Sequence, residues 1–381
     1  MTPIPHTAPP TASLVPPPPG LHARVSRSLL LEALTTLERV LPGAERHPSL
    51  GHVRLDAQPG VLRLSAVTRE VELECPVPAD VQVPQTLTLP PRVLAALVRD
   101  LNEDVLTLTQ RGRDLHLHAG STSVTLHAED PRTLSAPTFP DHEGVRLDAA
   151  ELAQALSSVQ HAVGVDTFDP RFRAIRLEPQ PGSLRLVASD GYRLALRDVP
   201  VQGQGRDVMV PARSLAHLRP VLSAGDACLT FGQDTLTVTT DRLRMNLRLV
   251  DGTLPEYAHV VPQAPRVQLT LPARTLKAAL RRVLPLADPR AGRPVEFRVA
   301  GDTLRLSAQG DTGQAGETLD VQHSGAESSV SVHLKGTHVL AALKPIQGDV
   351  TLRLSGPRDP VIFQPADGAA YQTVLVTLGM L

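Results

Sequence analysis

The string Leu62-Arg63-Leu64-Ser65-Ala66 opens a repeat that decides the fold of this 381-residue chain. It returns as Leu184-Arg185-Leu186-Val187-Ala188 and as Leu304-Arg305-Leu306-Ser307-Ala308, at spacings of 122 and 120 residues. A second marker keeps nearly the same period: an Asp opens an alternating stretch at Asp104, Asp226 and Asp349. Two independent markers with one period predict three copies of a single domain.

Six stretches of the chain carry apolar residues at helical spacing, in the windows 26–40, 90–101, 148–161, 211–222, 272–284 and 335–344. Within a window these residues recur every three or four positions, as Leu30, Leu34 and Leu37 do, so they share one helix face. Asp148 stands directly before one such stripe and predicts an N-cap. Each repeat is therefore expected to contain two amphipathic helices.

Between the helical windows the pattern changes to period two, as in Val105-Leu106-Thr107-Leu108-Thr109. This alternation predicts antiparallel strands with one buried face. The sequence thus predicts an α+β fold of three repeated domains, each with two helices packed on antiparallel sheet. We expect a proline-rich flexible tail over residues 1–21 and domains over 22–142, 143–264 and 265–381.

The composition argues against several classes of protein. The formal net charge of −1 gives the whole chain no attraction to nucleic acid or acidic membranes. Two cysteines, Cys75 and Cys228, are too few for a disulfide scaffold or an all-thiolate metal site, and they fit a cytoplasmic protein. Aromatic residues are too scarce for a stacking platform that binds single strands. No membrane partner is expected, because no apolar run approaches the about 18 residues of a membrane helix. Residues 1–20 also lack the Lys or Arg of a secretory signal.

Positive charge is concentrated in the helical windows, which hold twelve Lys and Arg against five Asp and Glu. An excess of basic residues on a helix is typical of an ordinary solvated helix face. On equivalent elements of repeated domains, however, it also suits a phosphate backbone bound without regard to sequence. The candidates for facing duplex DNA are Arg27, Arg46, Arg92, Arg99, Arg213, Arg219, Arg274, Lys277, Arg281, Lys335 and Lys344.

Two further strings carry a resemblance to a known family. Val187-Ala188-Ser189-Asp190-Gly191-Tyr192-Arg193-Leu194-Ala195 resembles the Ala-Thr-Asp-Gly-His-Arg-Leu string of bacterial DNA polymerase III beta subunits, the beta sliding clamps. Leu249-Val250-Asp251-Gly252-Thr253-Leu254-Pro255-Glu256-Tyr257 resembles the Asp-Gly-x-Phe-Pro-Asp-Tyr segment of that family. The order of the strings, the triple repeat and the length agree with the family over residues 22–381.

The resemblance implies a non-catalytic processivity factor. Its expected form is a head-to-tail homodimeric ring whose helices surround duplex DNA. The implied partners are the DNA polymerase III catalytic subunit, the clamp loader, and other polymerases and repair proteins that carry clamp-binding peptides. No cofactor or metal is implied, and the expected location is the cytoplasm, at the nucleoid. A divergent accessory clamp, or a clamp-shaped scaffold with altered DNA or partner binding, is the alternative.

The family binds partner peptides in a pocket between its middle and C-terminal domains. Asp190-Gly191 also favours a hairpin turn, which could hold neighbouring side chains at the edge of such a pocket. Departures from the family include the tail Thr377-Leu378-Gly379-Met380-Leu381 and His259 in place of an Arg, with Asp169 near another Arg position, so we expect a pocket with less positive charge. By matching strings, the pocket candidates are Phe172, Ser189, Gly191, Tyr192, Arg193, Leu194, Pro255, His259, Val260, Leu375, Val376, Thr377, Leu378, Gly379, Met380 and Leu381.

An open sheet edge would allow two copies to pair. The strand Ser123-Val124-Thr125-Leu126 is the candidate edge, with Val124 and Leu126 as contacts and Leu286 as the apolar contact from the third domain. Enzyme function is disfavoured, because the chain contains no Gly-x-Ser-x-Gly, His-Glu-x-x-His or Gly-x-x-x-x-Gly-Lys string. His116 and His118 share a strand face and could bind a metal, but solvent-facing histidines are the more ordinary interpretation.

Overall fold

The predicted period of about 120 residues is visible in the order of the structural elements. The structure is a computed structural model that describes residues 20–41, 51–140, 143–222 and 225–380. It divides into two units, Met1–Pro137 and Thr138–Leu381, of which the first holds one repeat and the second holds two. Most of the proline-rich tail, Arg46 and Leu381 lie outside the described residues.

The described part of the first domain contains α1 (Arg27–Val40) and α2 (Pro91–Asp100). Its strands are β1 (His22–Ser26), β2 (Val53–Gln58), β3 (Val61–Val67), β4 (Val71–Val83), β5 (Gln85–Leu89), β6 (Val105–Arg111), β7 (Asp114–Ala119) and β8 (Thr122–His127). Within this unit they pair antiparallel in the order β8-β7-β6-β1-β4-β3-β2-β5.

The second domain contains α3 (Ala149–Val159) and α4 (Ala212–Leu218). Its strands are β9 (Val145–Asp148), β10 (Ala174–Gln180), β11 (Ser183–Ser189), β12 (Arg193–Pro200), β13 (Val208–Pro211), β14 (Asp226–Phe231), β15 (Thr235–Thr239) and β16 (Arg244–Arg248). They pair in two series, β16-β15-β14-β9 and β13-β10-β11-β12.

The third domain contains α5 (Ala273–Val283) and α6 (Gly336–Leu343). Its strands are β17 (Val267–Pro272), β18 (Pro294–Ala300), β19 (Thr303–Gly310), β20 (Gly313–Asp320), β21 (Gln322–Gly325), β22 (Ser329–Lys335), β23 (Asp349–Leu354), β24 (Val361–Pro365) and β25 (Tyr371–Leu375). They repeat the pairing as β25-β24-β23-β17-β21 and β20-β19-β18-β22. Among the described residues, no helix is both long and apolar enough to cross a membrane.

The prediction of three repeated α+β domains is confirmed, because the sequence markers fall on equivalent elements. The Leu-Arg-Leu strings lie on β3, β11 and β19, the third strand of each domain. In each domain the first N–H group of the first helix donates to the carbonyl just before an equivalent strand, which is β6, β14 or β23. These bonds measure 2.9 Å for Arg27 to Asp104, 2.8 Å for Ala149 to Gly225 and 2.9 Å for Ala273 to Gly348. Each bond gives a partner to one N–H that the helix itself leaves without one.

The helices form as their apolar stripes predict. In α1 the side chains of Leu30, Leu34 and Leu37 are buried, and α1, α3 and α5 pack against the equivalent strands β4, β12 and β20. The predicted N-cap is present, since the Asp148 carboxylate accepts from the Glu151 N–H at 2.8 Å. Each domain is therefore a helix pair on antiparallel sheet, with its core between the two layers.

One strand pairing joins the second and third domains. Strand β12 of the second domain pairs antiparallel with β25 of the third, with Arg193 opposite Leu375 and Arg197 opposite Tyr371. The Val376 N–H extends the ladder by donating to the Tyr192 carbonyl at 3.1 Å. A single sheet thus runs through both domains, and the candidate site lies at this junction.

Candidate functional site

A cavity of about 340 Å³ opens where the second and third domains meet. Its walls come from the short 3₁₀ turn Pro170–Arg173, the β11–β12 turn, the stretch 254–260 and the end of β25. It is lined by Phe172, Ser189, Gly191, Arg193, Leu194, Leu254, Pro255, Glu256, Tyr257, His259, Val260, Val374 and Val376. Most of these side chains are apolar, so the cavity offers an apolar floor with a few polar groups around it.

The β11–β12 turn is the predicted hairpin, and its own side chains hold it. The Asp190 carboxylate accepts from the backbone N–H groups of Tyr192 and Arg193, both at 3.0 Å. The Ser189 hydroxyl donates to the Arg193 carbonyl at 2.9 Å and accepts from the Gly191 N–H at 3.1 Å. Gly191 has a φ of 88°, a left-handed conformation that other residues adopt at a cost.

The two arginines near the cavity are each paired with a carboxylate. Arg193 Nε lies 2.9 Å from Asp190 Oδ2, and both side chains are largely buried, at 15% and 14% exposure. Arg171 Nη2 lies 2.6 Å from Asp169 Oδ2, and hydrogen bonding by Arg171 lowers the pKa of Asp169. Arg171 therefore neutralises the acidic residue that stands near a family Arg position, while the guanidinium of Arg193 is fixed in direction.

Tyr257 forms a braced wall of the cavity. Its hydroxyl donates to the buried Glu178 carboxylate at 2.7 Å, and Glu178 Oε1 lies 2.9 Å from Arg176 Nε. Burial, with the hydrogen bond to Glu178, raises the pKa of Tyr257 to about 12. The phenol is therefore neutral at physiological pH, and its ring is held in one place.

The structure brings together nine of the predicted pocket residues. The nine that line the cavity are Phe172, Ser189, Gly191, Arg193, Leu194, Pro255, His259, Val260 and Val376. Tyr192 is exposed beside the cavity without lining it, and Leu375 belongs to the buried core of the third domain. The Thr377 hydroxyl donates to the Arg358 carbonyl at 3.0 Å, and Leu378 and Gly379, in a following 3₁₀ turn, are not among the described lining residues.

Alternation along β25 decides which residues near the chain end reach the cavity. Successive side chains of a strand point to opposite faces, so Val374 and Val376 share the cavity face and Leu375 faces the domain core. Beyond β25 the chain turns into a 3₁₀ segment next to Arg358.

Four lining residues are absent from the sequence-based set: Leu254, Glu256, Tyr257 and Val374. Three of them lie within the second string of the resemblance, so taking that string as a whole would have included them. Val374 required the strand register, which the sequence did not reveal. These residues sit at the same junction as the two strings themselves.

Family models of the DNA polymerase III beta subunit match almost the whole chain. The N-terminal domain model matches residues 21–141, the central domain model 146–256 and the C-terminal domain model 258–378. This chain belongs to the DNA polymerase III beta subunit family. The resemblance found in the two strings is thereby confirmed.

Named relatives agree with the family models. A beta sliding clamp of Streptomyces coelicolor is 27% identical, over 86% of this chain and 89% of the relative. The beta sliding clamp of Escherichia coli K12 is 28% identical, over 84% of this chain and 90% of the relative. The crystal structure of a Pseudomonas aeruginosa DnaN sliding clamp bound to griselimycin superposes with a TM-score of 0.86, at 23% identity over 94% of this chain and 99% of that one. This structural likeness shows that the fold is shared.

The candidate DNA-facing residues differ in how exposed their side chains are. Arg92, Arg99, Arg213, Arg274, Arg281 and Lys344 are exposed on their helices or helix ends. Arg27 and Lys335 are half-buried, and Arg219, though exposed, donates to Ser157 and Gln160 at 3.2 and 3.0 Å. Lys277 is half-buried and donates to the Ile346 carbonyl at 3.1 Å, so it ties α5 to the chain that follows α6.

The residues predicted to form contacts between copies also differ in exposure. Strand β8 is an edge strand of the first domain, as predicted, and Val124 on it is half-buried. Leu126, on the same strand, is only 8% exposed in the single chain, so its side chain offers little surface for a contact. Leu286 is half-buried beside the β19–β20 hairpin, where its carbonyl lies 2.7 Å from the position of a Cβ on Gly310.

The candidate metal pair lies on the solvent side of the first domain. The rings of His116 and His118 stack at 6.5 Å, and Nδ1 of His116 lies 3.0 Å from the Thr125 hydroxyl. In the part of the chain that the structure describes, no group of three or more His, Cys, Asp or Glu is placed to hold a metal ion.

A half-buried histidine of the second domain bonds to the third domain at their junction. His161, just after α3, lies with Nε2 2.9 Å from the Tyr371 hydroxyl, and that hydroxyl donates to the Ala342 carbonyl at 3.0 Å. Burial lowers the pKa of His161 to about 3, with a further contribution from the charge of Arg193. Burial likewise lowers the pKa of His338, on α6, to about 4. Both histidines are neutral in the folded protein at neutral pH.

Acid should therefore destabilise the second unit through this junction. Below pH about 6.5 the unfolded chain protonates His161, whereas the folded chain does so only near pH 3. The contribution of the neutral His161 to the free energy of unfolding is complete above pH 6.5. It is lost as pH falls toward 3, at up to about 1.4 kcal/mol per pH unit. Urea unfolding at pH 7 and pH 5 should show a smaller loss of stability for His161→Gln than for the wild type.

The matched control is His333→Gln, at an exposed histidine of β22. It should reproduce the wild-type loss between the two pH values. An equal loss in His161→Gln and wild type would contradict the role of the buried imidazole.

Proposed function

We propose that this chain is a DNA sliding clamp: a non-catalytic processivity factor that encircles duplex DNA and tethers its polymerase. The observation that carries the proposal is the cavity at the β12–β25 junction, built from both strings of the resemblance in a chain of this family. The proposed partners are the DNA polymerase III catalytic subunit, the clamp loader, and other polymerases and repair proteins with clamp-binding peptides. The proposed location is the cytoplasm, at the nucleoid.

The cavity is suited to an extended peptide. Its volume of about 340 Å³ and its apolar walls can bury one or two large side chains. The fixed guanidinium of Arg193 and the imidazole of His259 lie among the lining residues, where they can contact peptide carbonyls or carboxylates. Such a combination of apolar pockets and a few oriented polar groups selects a short motif instead of a broad surface.

The site itself can be tested with a labelled peptide from the clamp-binding segment of the polymerase catalytic subunit. Phe172→Ala removes a wall of the cavity, and truncation of such an anchor should weaken binding at least about tenfold. Fluorescence anisotropy titrations measure the effect. Leu378→Ala, a tail position outside the lining, is the matched control and should bind as the wild type does. Equal affinities for the wild type and Phe172→Ala would place the peptide elsewhere.

We propose the ring from the way the domains join. The junction inside the second unit pairs the last strand of one domain, β25, with the fourth strand of the preceding domain, β12. The equivalent last strand of the first domain is β8, and the equivalent fourth strand of the third domain is β20. Both are edge strands of their own sheets. Repeating the same junction between two copies pairs β8 of one with β20 of the other, which is a head-to-tail contact.

A charged residue on the β8 edge should separate the two copies. Val124→Asp places a carboxylate on the proposed contact and should convert a dimer to a monomer at micromolar concentration, as measured by light scattering. Val93→Asp, on the exposed side of α2, is the control and should remain dimeric. A wild type that is already monomeric would remove the basis for a closed ring.

Duplex DNA should be held by exposed helix arginines. The pair Arg274→Ala and Arg281→Ala removes two exposed positive charges from α5, whereas Lys277 is left in place because it is bonded to Ile346. Each lost phosphate contact lowers the salt dependence of binding by about one counterion. The logarithmic salt slope should therefore fall by up to about two for each copy, or about four for the dimeric ring, with no change in sequence preference.

The control removes equal charge from another part of the same domain, through Arg290→Ala and Arg298→Ala. Arg290 is in a loop and Arg298 is on strand β18, where it pairs with Glu296. This variant should keep the wild-type slope. Retention on closed circular DNA, with loss from linear DNA ends, separates an encircling clamp from a scaffold that only contacts DNA.

A further inference from the structure

The most exposed large apolar side chains of the described residues are gathered next to the cavity. Phe168 is 102% exposed, Val165 80% and Tyr192 53%, and these are the three highest values among the large hydrophobic residues. The chain has only six Phe, three Tyr and no Trp. Two of these few aromatic rings are therefore left in solvent beside one site, and clustered apolar exposure of this kind marks interaction surfaces.

The loop 163–169 is held against the cavity wall. The Gly164 N–H donates to the Phe172 carbonyl at 2.7 Å, and Phe172 lines the cavity. A Cβ on Gly164 would lie 2.9 Å from Thr167 Cγ2 and 3.5 Å from Asp190 Cβ, so the loop folds back on itself against the β11–β12 turn. That turn carries Tyr192. The three exposed side chains thus belong to two segments that touch each other and adjoin the cavity.

The charges of these segments are not equivalent. Asp169 and Asp190 are each paired with an arginine, Arg171 and Arg193. Asp166, by contrast, is exposed between Val165 and Phe168 in the sequence of the loop. The surface outside the cavity therefore combines large apolar groups with a solvated carboxylate.

We propose that Val165, Phe168 and Tyr192, the apolar rim, bind the continuation of the partner segment whose core fills the cavity. The occupant is an extended peptide with a large apolar side chain and a Lys or Arg just outside its cavity-binding core. The apolar side chain packs on Phe168 and Tyr192, and the basic group pairs with Asp166. This inference rests on the proposed peptide-binding function of the cavity, with which the rim is continuous.

The test uses labelled peptides and the full-length chain. The core peptide is the clamp-binding segment of the polymerase catalytic subunit. Two extended peptides add Phe-Lys-Phe to its N- or its C-terminus, and two controls add Gly-Ser-Gly. One Phe-Lys-Phe peptide should bind the wild type about tenfold more tightly than the core peptide, and the Gly-Ser-Gly peptides should show no gain.

Phe168→Ala should abolish that gain and leave the affinity for the core peptide unchanged, since Phe168 does not line the cavity. Asp166→Asn should keep the apolar part of the gain and remove its salt dependence. A gain that persists in Phe168→Ala, or the absence of any gain in the wild type, overturns the proposal. So does a Phe168→Ala variant that changes only the oligomeric state, because the rim would then be a contact between copies.

Failure of the proposed function gives a different result. If the core peptide does not bind the wild type, or binds Phe172→Ala equally well, the cavity is not the peptide site and the rim proposal falls with it. If the core peptide binds and depends on Phe172 while Phe168→Ala keeps the gain, only the rim proposal fails.

Discussion

The pairing of β12 with β25 is the interaction on which the candidate site depends. It sets Arg193 opposite Leu375 and continues one sheet from the second domain into the third. Because of this register, Val374 joins an apolar cluster that also holds Leu194 and Leu254 of the second domain. A slip of one residue would turn the side chains of β25 to the opposite faces. The cavity is thus a property of the junction, and neither domain contains it alone.

Much of the architecture could be predicted from the sequence, because its repeat places equivalent residues on equivalent elements. The Leu-Arg-Leu strings mark the third strands, and Asp226 and Asp349 begin the equivalent strands β14 and β23. Helical windows such as 272–284 coincide with observed helices, here α5 (Ala273–Val283). An apolar stripe of period 3.6 indicates an amphipathic helix. The β11–β12 turn also followed from its Asp-Gly dipeptide.

The sequence left undecided what depends on a side chain's direction or on its partner. Leu126 and Val124 share an edge strand, yet Leu126 is buried in its own domain. Lys277 belongs to a basic stripe, yet its ammonium group bonds to the Ile346 carbonyl. Leu375 is apolar and near the chain end, yet it faces the domain core. Composition reveals that such residues are available for contact, whereas strand register and packing determine what they contact.

The arginines of this protein include two groups, those paired with a carboxylate and those exposed to solvent. Around the cavity each arginine is matched by a nearby carboxylate, as Arg193 is by Asp190, so the groups are oriented and nearly neutral in sum. On α5 the exposed Arg274 and Arg281 point to solvent. A paired and buried guanidinium selects a partner by direction, since its field is cancelled at a distance. Exposed cations of one sign attract a polyanion at any sequence, because they act at a distance through their summed charge. A net charge of −1 is therefore compatible with the proposed peptide at one site and the proposed duplex at another.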